Sequence, residues 1–134
     1  MYRTQNSVKL PDTDAAGIVF FGHYFRLAHE AYESFMESIG FPLSMILDES
    51  DFLLLIAHAE SDYIEPLRLG QEYEIAVAVE NIGSKSFRLT YTFTNGSDRA
   101  VATVSTVHVA VDKKTDETIS LPSKLRDSLS QHAQ

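Results

Sequence analysis

The chain contains no cysteine. Disulfides, thiolate metal sites and a cysteine nucleophile are therefore excluded, while the compartment is left open. Long apolar runs are also missing: no stretch approaches the ~20 residues a membrane helix needs. The opening residues, Met1-Tyr2-Arg3-Thr4-Gln5-Asn6-Ser7, have no apolar core resembling a signal peptide. No His-x-x-x-His pair or comparable carboxylate grouping marks a metal site. Neither a redox-cofactor motif nor a glycine-rich phosphate loop is found. Positive charge is scarce, with 11 Lys and Arg against 19 Asp and Glu and a formal net charge of −8 at pH 7. That balance argues against a nucleic-acid partner. The expectation is a cytoplasmic protein that works without metal or cofactor and away from membranes. Arg68, Lys85, Arg88, Lys113 and Lys114 are the candidates for a local basic patch, although each taken singly reads as surface charge for solubility.

What is present fits one domain spanning residues 1–134. A chain of 134 residues is long enough to bury roughly two-thirds of its unfolded surface. Hydrophobic content of 44% and charged content of 22% are ordinary for a globular protein. The most informative stretch is residues 10–24, Leu-Pro-Asp-Thr-Asp-Ala-Ala-Gly-Ile-Val-Phe-Phe-Gly-His-Tyr. Asp12 and Asp14 sit in a turn-like segment opened by Pro11 and closed by Gly17, just ahead of the longest helical pattern. On residue type alone both aspartates read as turn and capping residues. A carboxylate held before a helix N-terminus also lies beside unpaired backbone N–H groups and the positive end of the helix dipole. That places a base or nucleophile next to a preformed oxyanion site, as acyl transfer requires.

The spacing of Tyr24, Ala28, Ala31, Phe35 and Ile39 predicts a helix over 24–39 with one apolar stripe. Arg26, His29, Glu30, Glu33 and Glu37 lie largely off that stripe as a solvated face. Gly40 and Pro42 form a stop signal, and Gly22 holds the N-cap position. Beyond the helix the period changes to two. Tyr73, Ile75, Val77 and Val79 alternate with polar or small residues over 72–82, and Phe87, Leu89, Tyr91 and Phe93 do so over 86–94. Over 99–111 the face Val101, Thr103, Ser105, Val107, Val109 and Val111 continues the pattern. Gly83-Ser84 and Asn95-Gly96 link these strands into a meander. A further strand is expected over 52–63, a weaker one over 4–10, and a short helix over 122–131 with Leu125 and Leu129 spaced by four. A single helix covered by four or five antiparallel strands is an α+β domain. One helix covers one face of such a sheet. Ala76, Ala78, Ala100, Ala102 and Ala110 suggest an apolar surface that an oligomer would cover.

The Asp-Thr-Asp-Ala-Ala-Gly-Ile-Val-Phe-Phe-Gly-His-Tyr segment and this element order resemble the hot-dog-fold thioesterases of the 4-hydroxybenzoyl-CoA thioesterase family. The likeness runs from about Val8 to Val111. It is closer to the subfamily acting on 1,4-dihydroxy-2-naphthoyl-CoA in phylloquinone biosynthesis, through Pro11-Asp12-Thr13-Asp14, His29-Glu30-Ala31-Tyr32-Glu33-Ser34, Asp51-Phe52, His58-Ala59, Asp62-Tyr63 and Glu65-Pro66. The resemblance implies an antiparallel sheet wrapped around one long helix and cofactor-free hydrolysis of an acyl-CoA. It also implies a homo-oligomer, a dimer of dimers with sites at dimer interfaces. It puts the catalytic carboxylate at Asp14, partly buried, as nucleophile or as general base for water. The backbone N–H of Phe21 becomes the oxyanion donor, with Gly22 beside it. Asp12 is expected to shape the loop, and Gly17 to supply a strained backbone angle or a close approach. His23 at the helix start and His58 in its strand are substrate-binding candidates, His58 for the naphthoate hydroxyls. Glu30 and Glu33 are the alternative acids. Lys85, in Gly83-Ser84-Lys85-Ser86-Phe87, is the remaining charge for CoA where the family has a basic cluster.

Overall fold

In the computed structural model, which describes residues 1–96 and 98–133, the period-two segments form one five-stranded antiparallel sheet. Its strands are β1 (Tyr2–Ser7), β2 (Phe52–Tyr63), β3 (Glu72–Ile82), β4 (Ser86–Thr94) and β5 (Ala100–Asp112). Their order across the sheet is β1-β3-β4-β5-β2. The meander β3–β4–β5 is therefore central, while β1 and β2 are the edges. The long helix α1 (His23–Ser38) lies on one face. Its stripe of Tyr24, Ala28, Ala31, Phe35 and Ile39 is buried as the spacing predicts, joined by Leu27, Tyr32 and Met36. Phe87, Leu89, Tyr91 and Phe93 of β4 and Tyr73, Ile75, Val77 and Val79 of β3 face it from the sheet. Each such side chain contributes about 1.5–3 kcal/mol by leaving water. The C-terminal helix α3 (Ser123–Gln131) closes one end with Leu125 and Leu129 fully buried. Among the described residues no helix is long and apolar enough to cross a membrane.

Four expectations are corrected. A second helix, α2 (Leu43–Glu49), follows directly on Pro42 and buries only Ile46. Two turns with a single anchor leave no stripe to read. The first strand is earlier than expected, because residues 10–12 close into a 3-10 turn behind Pro11. In β5 the buried face is the other one: Ala102, Val104, Thr106, His108 and Ala110 meet the helix, and Thr103, Ser105, Val107 and Val109 are half-exposed. Hydropathy does not separate the two faces, since Val104 lies inside and Val107 and Val109 outside, while Val101 and Val111 of the expected face are buried at the two ends of the strand. Ala102 and Ala110 consequently pack inside the chain and do not mark an oligomer surface. Exposed apolar residues include Leu55 and Ile56 of the edge strand β2, at 51% and 45% exposure, and Phe20 and Phe21 ahead of α1.

His108 sits fully buried in this core. Its ring stacks on Tyr32 and Phe87 with centroids 4.3 and 5.0 Å away. Nε2 is 2.8 Å from the Thr106 hydroxyl, which is 2.9 Å from that of Tyr91. Nδ1 has no partner among the described residues. Burial pushes the imidazole down to about 3 from its ordinary 6.5, with His29 nearby adding to the effect. The native state therefore holds it neutral, while the unfolded chain protonates it below 6.5. Stability from this group is complete above that value and falls as pH drops toward 3, by up to about 1.4 kcal/mol per unit. Urea unfolding between pH 7.5 and 5 reads this slope. The part belonging to His108 should vanish in His108→Phe, and an unchanged slope there would assign it to another group.

Candidate active site

Pro11 sets the turn that begins the site. The Lys9 amide donates to the Asp12 carboxylate at 2.9 Å, and the Asp12 amide returns to the Lys9 carbonyl at 2.9 Å. The chain then folds into a small hairpin. Asp14 N–H donates to Ile18 O at 2.9 Å and Phe20 N–H to Asp12 O at 3.0 Å. Gly17 closes it at φ +76°, a conformation open to glycine at little cost. Within the turn the Ala16 amide donates to Asp14 Oδ1 at 2.8 Å. The outer arm rests on residues 67–69, through Val19 N–H to Leu67 O and Leu69 N–H to Gly17 O. Asp14 thus stands on backbone held from both sides.

Asp12 is buried and takes the loop-shaping role expected of it. Its carboxylate pairs with Arg26, one turn into α1, and Arg26 pairs in turn with Glu30 at 2.7 Å. Burial raises the Asp12 pKa, but the Lys9 amide and the Arg26 guanidinium outweigh it and leave the carboxyl below its ordinary value. The hydrogen bond from Arg26 to Asp12 raises the guanidinium correspondingly. Arg26 is thus a functional residue that sequence reasoning left on the solvated face.

The hairpin delivers the chain to the helix through Phe21 and Gly22. Among the described residues nothing accepts from the amides of Phe21 and Gly22, whereas His23 N–H donates to Phe20 O at 2.9 Å. The two free amides sit at the positive end of α1. His23 therefore offers its ring, not its amide; the ring lies edge-on to Phe20 at 5.6 Å. A Cβ on Gly22 would lie 3.0 Å from the Phe20 ring, so a larger residue there requires that exposed ring to give way by a few tenths of an ångström. The expectation of a partly buried Asp14 is corrected: within one chain Asp14 is exposed, as are Phe20 and Phe21.

A groove of about 430 Å³ runs between α1 and β2, lined by apolar Phe25, Ile56 and Ala59 together with Arg26, His29, Glu30, Glu33 and Thr106. Both alternative acids, Glu30 and Glu33, therefore border it. His58 does not: it stands opposite Val107 on the outer face of the sheet, 3.8 Å from Glu60. The structure does not bring His58 together with Asp14 or Glu33. Lys85 is also remote. It lies in the turn joining β3 to β4, whereas the hairpin packs at the opposite end of β3, roughly 30 Å away along the strand. Lys113 is no part of a basic patch, because its ammonium donates to the carbonyls of Ile46, Leu47 and Ser50 and caps α2. Arg88 is tied to Ser105 and Glu60. Arg68 stays exposed beside the hairpin.

The sequence model of the thioesterase-like superfamily matches residues 8–129, and the chain belongs to that superfamily. A 1,4-dihydroxy-2-naphthoyl-CoA hydrolase of Synechococcus elongatus is 35% identical over 129 residues, covering 96% of this chain and 94% of the relative. Among solved structures, a 1,4-dihydroxy-2-naphthoyl-CoA thioesterase from Synechocystis superposes with TM-score 0.89 at 26% identity, over 96% of this chain and 95% of the other. A gentisyl-coenzyme A thioesterase does so with TM-score 0.86 at 28% identity, over 96% and 99%. The hot-dog fold and the thioesterase class that the resemblance implied are borne out.

The ion pair makes a first test of the site. Arg26→Leu leaves the buried Asp12 carboxylate with one charged partner removed and should cost about 2 kcal/mol of stability. Loosening of the hairpin should lower turnover by more than the unfolded fraction explains. Denaturant titration alongside steady-state rates checks both, and an unchanged unfolding midpoint would show the pair to be solvent-screened.

Proposed function

We propose that the chain hydrolyses 1,4-dihydroxy-2-naphthoyl-CoA to 1,4-dihydroxy-2-naphthoate and CoA, a cytoplasmic step in phylloquinone biosynthesis. The observation that carries the reading is Asp14 on a pinned hairpin whose next residues present two unpaired amides, those of Phe21 and Gly22. The near full-length likeness to naphthoyl-CoA hydrolases supports the choice of acyl group.

Two routes use the same geometry. In one, an Asp14 oxygen attacks the thioester carbon, the C–S bond breaks to release CoA thiolate, and water opens the mixed anhydride. In the other, Asp14 takes a proton from water as its oxygen adds to that carbon. The C–S bond then breaks as the tetrahedral intermediate collapses. In both, the Phe21 and Gly22 amides stabilise the oxyanion, where one donor is worth about 10²–10³ in rate. The groove between α1 and β2, about 430 Å³, is within the range of small-molecule sites. Glu33, His29 and Thr106 give the naphthoate hydroxyls polar partners there, the role earlier expected of His58.

A second copy of the chain completes this reading. Strand β2 is an unpaired edge carrying exposed Leu55 and Ile56, and such edges are covered or paired. Antiparallel pairing of β2 with its copy would set the Lys85 end of one chain beside the Asp14 hairpin of the other. The copy would then wall the exposed Asp14 and bring a cation toward the CoA phosphates. Leu55→Lys, outside the groove, should give monomers by sedimentation and abolish most turnover; an active monomer would overturn the shared-site arrangement.

Thiol release from a panel of acyl-CoAs tests the function, with no background because the chain has no cysteine. The naphthoyl thioester should be preferred over 4-hydroxybenzoyl-, benzoyl- and short aliphatic thioesters. Asp14→Asn should lower kcat by at least about 10³ while substrate affinity is kept. Equal rates across the panel would favour a broad aromatic acyl-CoA thioesterase, a reading the gentisyl-coenzyme A relative supports. No release at all would leave an acyl-CoA-binding domain.

A further inference from the structure

Strand β2 contains a bulge that decides which of its side chains reach the helix. Ile56 stands opposite His108, but His58 stands opposite Val107, so Ala57 is the extra residue. Beyond it Ala59, Ser61 and Tyr63 face Thr106, Val104 and Ala102, all on the buried face of β5. Were the same residues paired without a bulge, Glu60 and Asp62 would point at α1 instead. The bulge therefore aims Tyr63 at the start of the helix.

There the Tyr63 ring lies 5.2 Å from Tyr24 and 6.4 Å edge-on from Phe21. Its hydroxyl donates to the Phe21 carbonyl at 2.9 Å and accepts from the Ser61 hydroxyl at 2.6 Å. The Phe21 C=O and the Gly22 N–H are opposite ends of one planar peptide. Fixing the oxygen fixes the direction of the amide, and drawing electron density toward the oxygen makes that N–H a stronger donor. A second hydroxyl behind the first strengthens the effect, by about 10–30% per bond.

We infer that Tyr63, backed by Ser61, is a positioning residue that aims and polarises the Gly22 amide as an oxyanion donor. The inference rests on the thioesterase reading and makes Gly22, beside Phe21, a donor whose strength is set from β2. It assigns a task to the Ser61-Asp62-Tyr63 segment that hydrolysis by Asp14 alone does not use.

The test compares wild type, Tyr63→Phe, Ser61→Ala and the double variant on the thioester that wild type turns over fastest. Tyr63→Phe keeps the ring and removes the donor. Its kcat should fall about tenfold with KM within about twofold, less than loss of a whole oxyanion donor because the amide remains. Ser61→Ala should lose a few-fold in wild type and nothing further in Tyr63→Phe, since the serine acts through the tyrosine. The Gly22 amide ¹⁵N resonance should move in Tyr63→Phe, a readout independent of turnover and of general destabilisation. An active wild type with unchanged kcat in Tyr63→Phe overturns this inference alone. Additive losses, or an unmoved Gly22 resonance, also overturn it. Wild type inactive on every thioester overturns the thioesterase reading, and the resonance then still decides whether Tyr63 orients the peptide.

Discussion

The contact between the Asp12 carboxylate and Arg26 ties the hairpin to the helix, and the site depends on it. Asp12 holds the Lys9 amide with the same carboxylate and receives the Phe20 amide on its carbonyl. One residue therefore joins the turn before the site, the arm after it and the first turn of α1. A charge buried in this way is tolerated because every direction from it is answered by a donor. Asp14, two residues on, is free to remain exposed because it has no such duty. The two aspartates differ accordingly: Asp12 is committed to architecture, and Asp14 stands exposed for the chemistry proposed for it.

Much of this was legible in the sequence, and the reasons for the exceptions are physical. The α1 stripe and the β3 and β4 alternations are strong because large apolar residues all fall on the core side. In β5 that logic reverses. The inner face carries Ala102, Thr106, His108 and Ala110 while Val107 and Val109 stand outside, so hydropathy points to the wrong face along the middle of the strand. The pairing of Arg26 with Asp12 spans 14 residues and leaves no local trace, since an off-stripe arginine resembles any solvated one. Asp14, Phe21 and Gly22 were found through the signature they share with a known family. The exposure of Asp14 was not, because its turn projects beyond the core of its own chain.

The candidate His58 and the unsuspected His108 exchange places for related reasons. His58, in an apolar stretch, looks like the buried one, yet the bulge at Ala57 turns it outward. His108, among valines and threonines, looks unremarkable and is held neutral between two aromatic rings. Burial here follows strand register and helix proximity, not the hydropathy of sequence neighbours.

The bulge at Ala57 makes the length of β2 matter more than its composition. The strand is two amphipathic segments in opposite phase joined by one residue, with Leu54 and Ile56 inward before it and Ala59, Ser61 and Tyr63 inward after it. Substitutions along it trade one side chain for another. A residue inserted between the bulge and Asp62 exchanges the two faces of everything downstream, putting Asp62 where Tyr63 stands. Descendants of this chain can drift in the identity of these residues, but their number is under a separate and stricter selection.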